Sequence, residues 1–147
     1  MIFRRKALPD ELVPSFRAFL EVLDEIEPAK AGLTEVVPGT RLPGRPLEDA
    51  LAEFVARLTR ARDLMPAWRR PELEDEWSAC ADGLAVALER ATRLLDDAYE
   101  ATGFGSLVGL VEGLLDPLEP FAQAEDRFAS LRRRTERARG QRTRHGA

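Results

Sequence analysis

The side chains with the clearest chemistry are carboxylates set three residues apart. Glu21 and Asp24, Glu72 and Asp75, and Asp97 and Glu100 form three such pairs. Residues at that spacing share one face of an α-helix. Two such faces opposed across a helical core would offer oxygen ligands to a hard cation such as Mg²⁺. The chain carries 26 acidic residues in 147, however, so helices rich in Asp and Glu produce these pairs by composition alone. A solvated acidic face is the expected reading. The only histidine is His145 and the only cysteine is Cys80. That composition leaves no Glu-x-x-His di-iron set, no histidine-based triad and no multi-cysteine zinc site. No metal and no cofactor is expected. Cys80 stands three residues after Trp77, on the flank of an apolar seam, and reads as a small buried side chain. Gly103-Phe104-Gly105-Ser106 precedes a helix, where backbone N–H groups can hold phosphate. The segment before it is helical rather than a strand, so a helix-connecting turn is expected there.

The second chemical signature is charge. Net charge is −4 with 22 basic residues, of which only Lys6 and Lys30 are lysines. From position 127 to 147 there are eight arginines and one acid, Glu136, which gives +7 and leaves −11 on residues 1–126. An acidic body therefore carries a basic tail. Arg132, Arg133, Arg134, Arg137, Arg139, Arg142 and Arg144 could neutralise phosphates. The tail has no aromatic residue for base stacking, and the body repels a polyanion. Nucleic-acid binding through the tail is expected to be nonspecific and salt-sensitive. Docking on an acidic protein surface and simple solubilisation are the other readings. Trp68, in a short linker, is either a lid on the core or an exposed anchor for a partner. Trp68, Arg132, Arg133, Arg134, Arg137 and Arg139 are thus the candidate partner-binding residues.

The elements that must position these groups follow from apolar spacing. Phe16, Phe19, Leu20, Leu23 and Ile26 give the buried face of a first helix, entered after Pro14 and stopped by Pro28. Residues 29–45, punctuated by Gly32, Pro38, Gly39, Pro43 and Gly44, read as one long Pro/Gly loop. A second helix starts at Pro46, buries Leu47, Leu51, Phe54, Leu58, Ala61 and Met65, and ends at Pro66. Glu53 and Arg57 form an i,i+4 pair on it. The third and longest helix spans 71–101, with Trp77, Ala81, Leu84, Leu88, Ala91, Leu95 and Ala98 at steps of four and three. The fourth contains Gly105, Gly109 and Gly113, a stripe expected to let helix three approach closely. It bends at Asp116-Pro117, with Asp116 as a cap, and keeps its seam through Leu114, Leu118, Phe121, Phe128 and Leu131. The helix is expected to fray after Arg134.

The predicted fold is all-α: a four-helix bundle, antiparallel and with left-handed coiled-coil-like packing. It has a long loop between helices one and two and a kinked last helix. Residues 1–134 form the bundle and 135–147 a disordered arginine-rich tail. No apolar run reaches the ~20 residues of a membrane span, and MIFRRKALPDE lacks the apolar core of a secretory signal. A cytoplasmic location is expected. Helices three and four are read as longer than the first two, which leaves apolar overhang and suggests a dimer. The expected function is protein–protein association, as a homodimer or small adaptor. A nucleic-acid accessory role is the first alternative. An Mg-dependent enzyme of the all-helical nucleotide pyrophosphohydrolase kind is the second.

Overall fold

The computed structural model describes residues 8–36, 47–96 and 104–145, with side chains described over 8–36, 47–96 and 108–132. All regular structure among these residues is helical, without a strand. A 3-10 turn at Asp10–Leu12 leads into α1, Val13–Thr34. Helix α2 spans Leu47–Leu64 and runs into a 3-10 turn at Met65–Trp68. A further turn, Pro71–Leu73, opens α3 at Glu74–Asp96. Helix α4, Phe104–Leu115, passes through a 3-10 turn at Asp116–Leu118 into α5, Pro120–His145.

Helix α1 does not stop at Pro28. Its buried positions are Phe19, Val22, Ile26, Ala29 and Leu33, at alternating steps of three and four that pass through the proline. Pro28 removes one backbone donor, at a cost of about 3 kcal/mol in an unsupported helix. Burial of Ala29, Leu33 and Val36 on the far side offsets that loss. The buried face is also turned from the predicted one. Val22 is fully buried, whereas Leu20 is 40% exposed and Phe16 and Leu23 are only half-buried. Residues 29–34 of the expected loop are thus helical, and positions 37–45 of it lie outside the described residues. Helix α1 has 22 residues and α3 is described over 23, up to Asp96, where the described residues pause; the predicted extension of helix three to residue 101 lies outside them.

Helix α2 follows its predicted seam. Leu51, Phe54, Leu58 and Ala61 are fully buried, and the acidic first turn (Glu48, Asp49) faces the positive end of the helix dipole. Helix α2 packs along α1, and Glu25 of α1 ties the two together. Its Oε2 accepts from Arg60 Nε at 3.1 Å and from Arg57 Nη1 at 3.5 Å, while Arg57 Nε donates to Glu53 at 3.1 Å. Helix α3 packs on α2, α4 and α5. Cys80, Leu84, Ala87, Leu88 and Ala91 form its buried line, with Trp77, Ala81, Leu94 and Leu95 partly buried beside it. Positions 97–103, including Asp97, Ala98, Glu100 and Gly103, lie outside the described residues.

The bend in the last helix is where the sequence placed it, but its chemistry differs. Asp116 is the first residue of the 3-10 turn, and no side chain caps that turn. Backbone bonds from Glu119 N to Asp116 O (3.1 Å) and from Ala122 N to Glu119 O (3.0 Å) carry the chain across Pro117 and Pro120. Leu114, Leu118, Phe121, Ala124 and Phe128 then continue one buried line. Backbone helicity in α5 persists through His145, beyond the fraying point expected at Arg134. Arg, Ala, Glu and Gln are good helix formers, and the single Gly140 costs only about 1 kcal/mol.

Candidate protein-association surface

Among the described residues the largest buried side chain is Trp68. The Met65–Trp68 turn lays its indole on Phe19, edge-on, with ring centroids 4.9 Å apart, and within 6.3 Å of Phe128. Phe19 also meets Phe128 at 5.1 Å and Phe121 at 6.4 Å. The indole N–H donates to Met65 Sδ at 3.2 Å, and Ser15 Oγ donates to the Trp68 carbonyl at 2.7 Å. Trp68 is thus part of an aromatic cluster, centred on Phe19 and Phe128, that joins α1 to α5, and it has no surface available to a partner. The anchor expectation is corrected. A linker position between prolines marks exposure only when no neighbouring face is short of apolar cover, and here Phe19 and Phe128 supply such a face.

Arg132 is attached to the same cluster. It is half-buried, and its guanidinium carbon stands 5.1 Å from the Phe16 ring centroid. Its Nε is shielded from solvent and has no hydrogen-bond partner. Arg132 therefore covers apolar surface with its stem and ring contact. Arg133, Arg134, Arg137 and Arg139 follow on the helical backbone of α5, and their side chains lie outside the described ones.

Of the three carboxylate pairs, Glu21/Asp24 and Glu72/Asp75 lie among the described residues and Asp97/Glu100 lies outside them. Among the described residues no group of three His, Cys, Asp or Glu side chains is placed to hold a metal ion. Glu72 is engaged by Arg70 at 3.4 Å. Glu74 takes two bonds from Arg69, at 2.6 and 3.1 Å, and the same guanidinium covers the Trp77 ring at 4.1 Å. The hydrogen bond from Arg69 holds the Glu74 carboxyl below its ordinary range. A cleft of about 520 Å³ between α3 and α5 is lined by Asp75, Glu76, Gln123, Asp126, Arg127 and Ser130. Inside it, Arg127 Nε lies 3.3 Å from Glu76, an ion pair without hydrogen-bond alignment. Cys80 is enclosed in the core; burial first, and the charge of Glu76 second, push its thiol up to about 12. It is a neutral core side chain at ordinary pH.

Among the described residues the groove between α3 and α4 is open. Arg90, Arg93 and Leu94 of α3 and Gly109, Leu110, Gly113 and Leu114 of α4 enclose about 500 Å³. Its floor is aliphatic. Arg90 Nη1 donates to the Gly113 carbonyl across the groove at 2.9 Å, and Arg93, also on the α3 side, donates from Nη2 to Glu89 of its own helix at 2.6 Å. A Cβ built on Gly109 or Gly113 meets nothing within 4 Å. The glycine stripe was expected to seat helix three, and at these two positions it does not. It forms an open ridge beside an apolar floor. The glycine that does seat a neighbour is Gly83 of α3, where a Cβ would overlap the carbonyl oxygen of Pro117. Sequence reasoning missed Arg90 and Arg93 as groove residues. Their i,i+3 spacing on the exposed side of α3 carried the signal, but the partner helix was needed to read it.

Comparison with protein-family models, with curated proteins and with solved structures finds no match for this chain. Among the described residues no helix is long and apolar enough to cross a membrane.

Proposed function

We propose that this chain is a cytoplasmic helical-bundle protein that works by protein–protein association, with the α3/α4 groove as its contact surface. One observation carries the reading: an aliphatic floor (Leu94, Leu110, Leu114) lies between an open glycine ridge and an arginine rim. Missing side chains on a ridge let another backbone come close, and an apolar floor rewards the removal of water. A helix from a protein partner fits such a surface in the helix-in-groove manner. The reading includes an antiparallel bundle with left-handed packing, in which α4 and α5 together form the fourth, bent member. It also keeps residues 135–147 as an arginine-rich appendage to a 1–134 bundle.

The test is site-specific photo-cross-linking in the cell that makes the protein. Val86 is 38% exposed and one turn from Arg90 on α3; Leu20 on α1 is 40% exposed and serves as the control. A benzophenone-bearing residue at position 86 should give a discrete protein adduct that position 20 does not. Absence of any adduct at 86 would overturn the reading.

A nucleic-acid role is the second reading, and the helical backbone through His145 favours it. Arg133, Arg137 and Arg144, at steps of four and seven, recur on one helical register. Binding of a nonspecific duplex should weaken steeply with salt. Replacement of these three by Gln should lower the log–log salt slope by about 0.9 for each phosphate no longer neutralised. No binding at low salt would remove this reading.

A further inference from the structure

We infer that the α3/α4 groove is covered by a second copy of this chain, with the two α4 helices side by side and parallel about a two-fold axis; this rests on the association reading above. Charge placement on α3 and α4 selects this pairing. At 3.6 residues per turn, Leu110 lies about 100° to one side of Gly109 and Glu112 about 60° to the other. The glycine ridge of α4 therefore separates two flanks. On one flank are Leu110, Leu114 and, across the groove, Arg90 and Arg93 of α3. On the other is the exposed carboxylate of Glu112. The bond from Arg90 to the Gly113 carbonyl fixes the level of the arginines along α4, and Glu112 is the neighbouring residue at that same level.

A two-fold axis parallel to α4 sets ridge against ridge, where Gly109 and Gly113 leave open space. It carries α3 of each copy to the Glu112 flank of the other. Arg90 of one copy then faces Glu112 of the second, with Arg93, which also pairs with Glu89 of its own helix at 2.6 Å, beside it; the contact occurs twice, as an isologous interface requires. A two-fold axis perpendicular to α4 would place both α3 helices on the same side, with arginines beside arginines. Like charges in contact disfavour that arrangement and select the parallel one.

Sedimentation equilibrium of the full chain at physiological salt tests the inference. The mass should rise with concentration from 16.4 kDa to twice that value. Gly109→Leu should hold the chain at the single-copy mass. Gly109 has open space and sits in regular helix, so circular dichroism should show this variant folded. Glu112→Arg should raise the dissociation constant about tenfold, and Arg93→Glu added to it should recover most of the loss. A wild-type mass of one chain at every concentration would overturn the pairing, as would a Gly109→Leu variant that dimerises like wild type. Failure of Arg93→Glu to restore Glu112→Arg would overturn the parallel arrangement. A photo-adduct at position 86 to a different protein, with the chain itself monomeric, would reject self-pairing and keep the association reading. No adduct at all would reject both.

Discussion

Gly83 and Gly109 sit in regular helices with opposite surroundings. Gly83 is pressed against the backbone of Pro117, so α3 and the 3-10 turn between α4 and α5 approach as closely as two backbones can. Gly109, like Gly113, faces open space on the rim of the α3/α4 groove. Isolated Gly83 is the structural one, and Gly109 and Gly113 of the repeat have open space among the described residues. A repeat at steps of four tells which residues share a helix face; it does not tell whether that face is covered. Covered glycine is retained because any side chain collides with backbone that cannot yield. Open glycine costs helix stability with no contact among the described residues, and in this protein that cost falls on the surface proposed for association.

Substitutions probe this contrast in order of expected size. Gly83→Leu should abolish the cooperative unfolding transition in urea, because the overlap is with the Pro117 backbone and overpacking already costs about 1–3 kcal/mol where side chains can adjust. A variant that unfolds like wild type would show that the bend does not rest on α3. Trp68→Ala measures the aromatic cluster at the other end of the packed region. It should lose about 3–5 kcal/mol, read from the urea midpoint. A loss below about 1 kcal/mol would mean that the indole spends its time in solvent, as an anchor would.

Cys80 extends the contrast to pH, because it lies in the buried line of α3. The fold keeps its thiol protonated up to about 12, whereas an unfolded thiol titrates near about 8.5. The folded value is raised, so the stabilisation is complete below the unfolded value and is lost as pH rises between the two. In that window stability should fall by up to about 1.4 kcal/mol per pH unit, and Cys80→Ala should flatten the slope. Equal slopes in the two proteins would place the thiol near the surface. The smallest effect is on the open ridge. Gly109→Ala should stabilise the isolated chain by about 1 kcal/mol through helix propensity alone. A destabilised monomer would mean that something within the chain already covers the ridge.

Much of the fold was legible because it depends on local spacing. The seams of α2 and of the α4–α5 line, the Glu53–Arg57 pair and the bend at Pro117 were all readable from residues a turn or two apart. Pro28 misled because its local cost is certain, while the burial of Ala29 and Leu33 that outweighs it depends on α2. Leu20 misled because Phe16, Leu20 and Leu23 also keep helical spacing, and one residue of rotation separates the two faces. The groove was hardly legible at all. Its floor and rim come from two helices, and neither Arg90 nor Gly109 is distinctive alone.

Propensity, periodicity and charge act within a few residues. They suffice to make the described residues helical, to end α2 before Pro66 and bend the last helix at Pro117, and to join an acidic body to an arginine-rich end. They do not make Trp68 core, lay Arg132 on Phe16, press Gly83 into contact or leave Gly109 free. Each of those outcomes depends on which face of a second helix arrives opposite. That choice is set by the whole core at once, through the area it removes from water and the backbone groups it brings together.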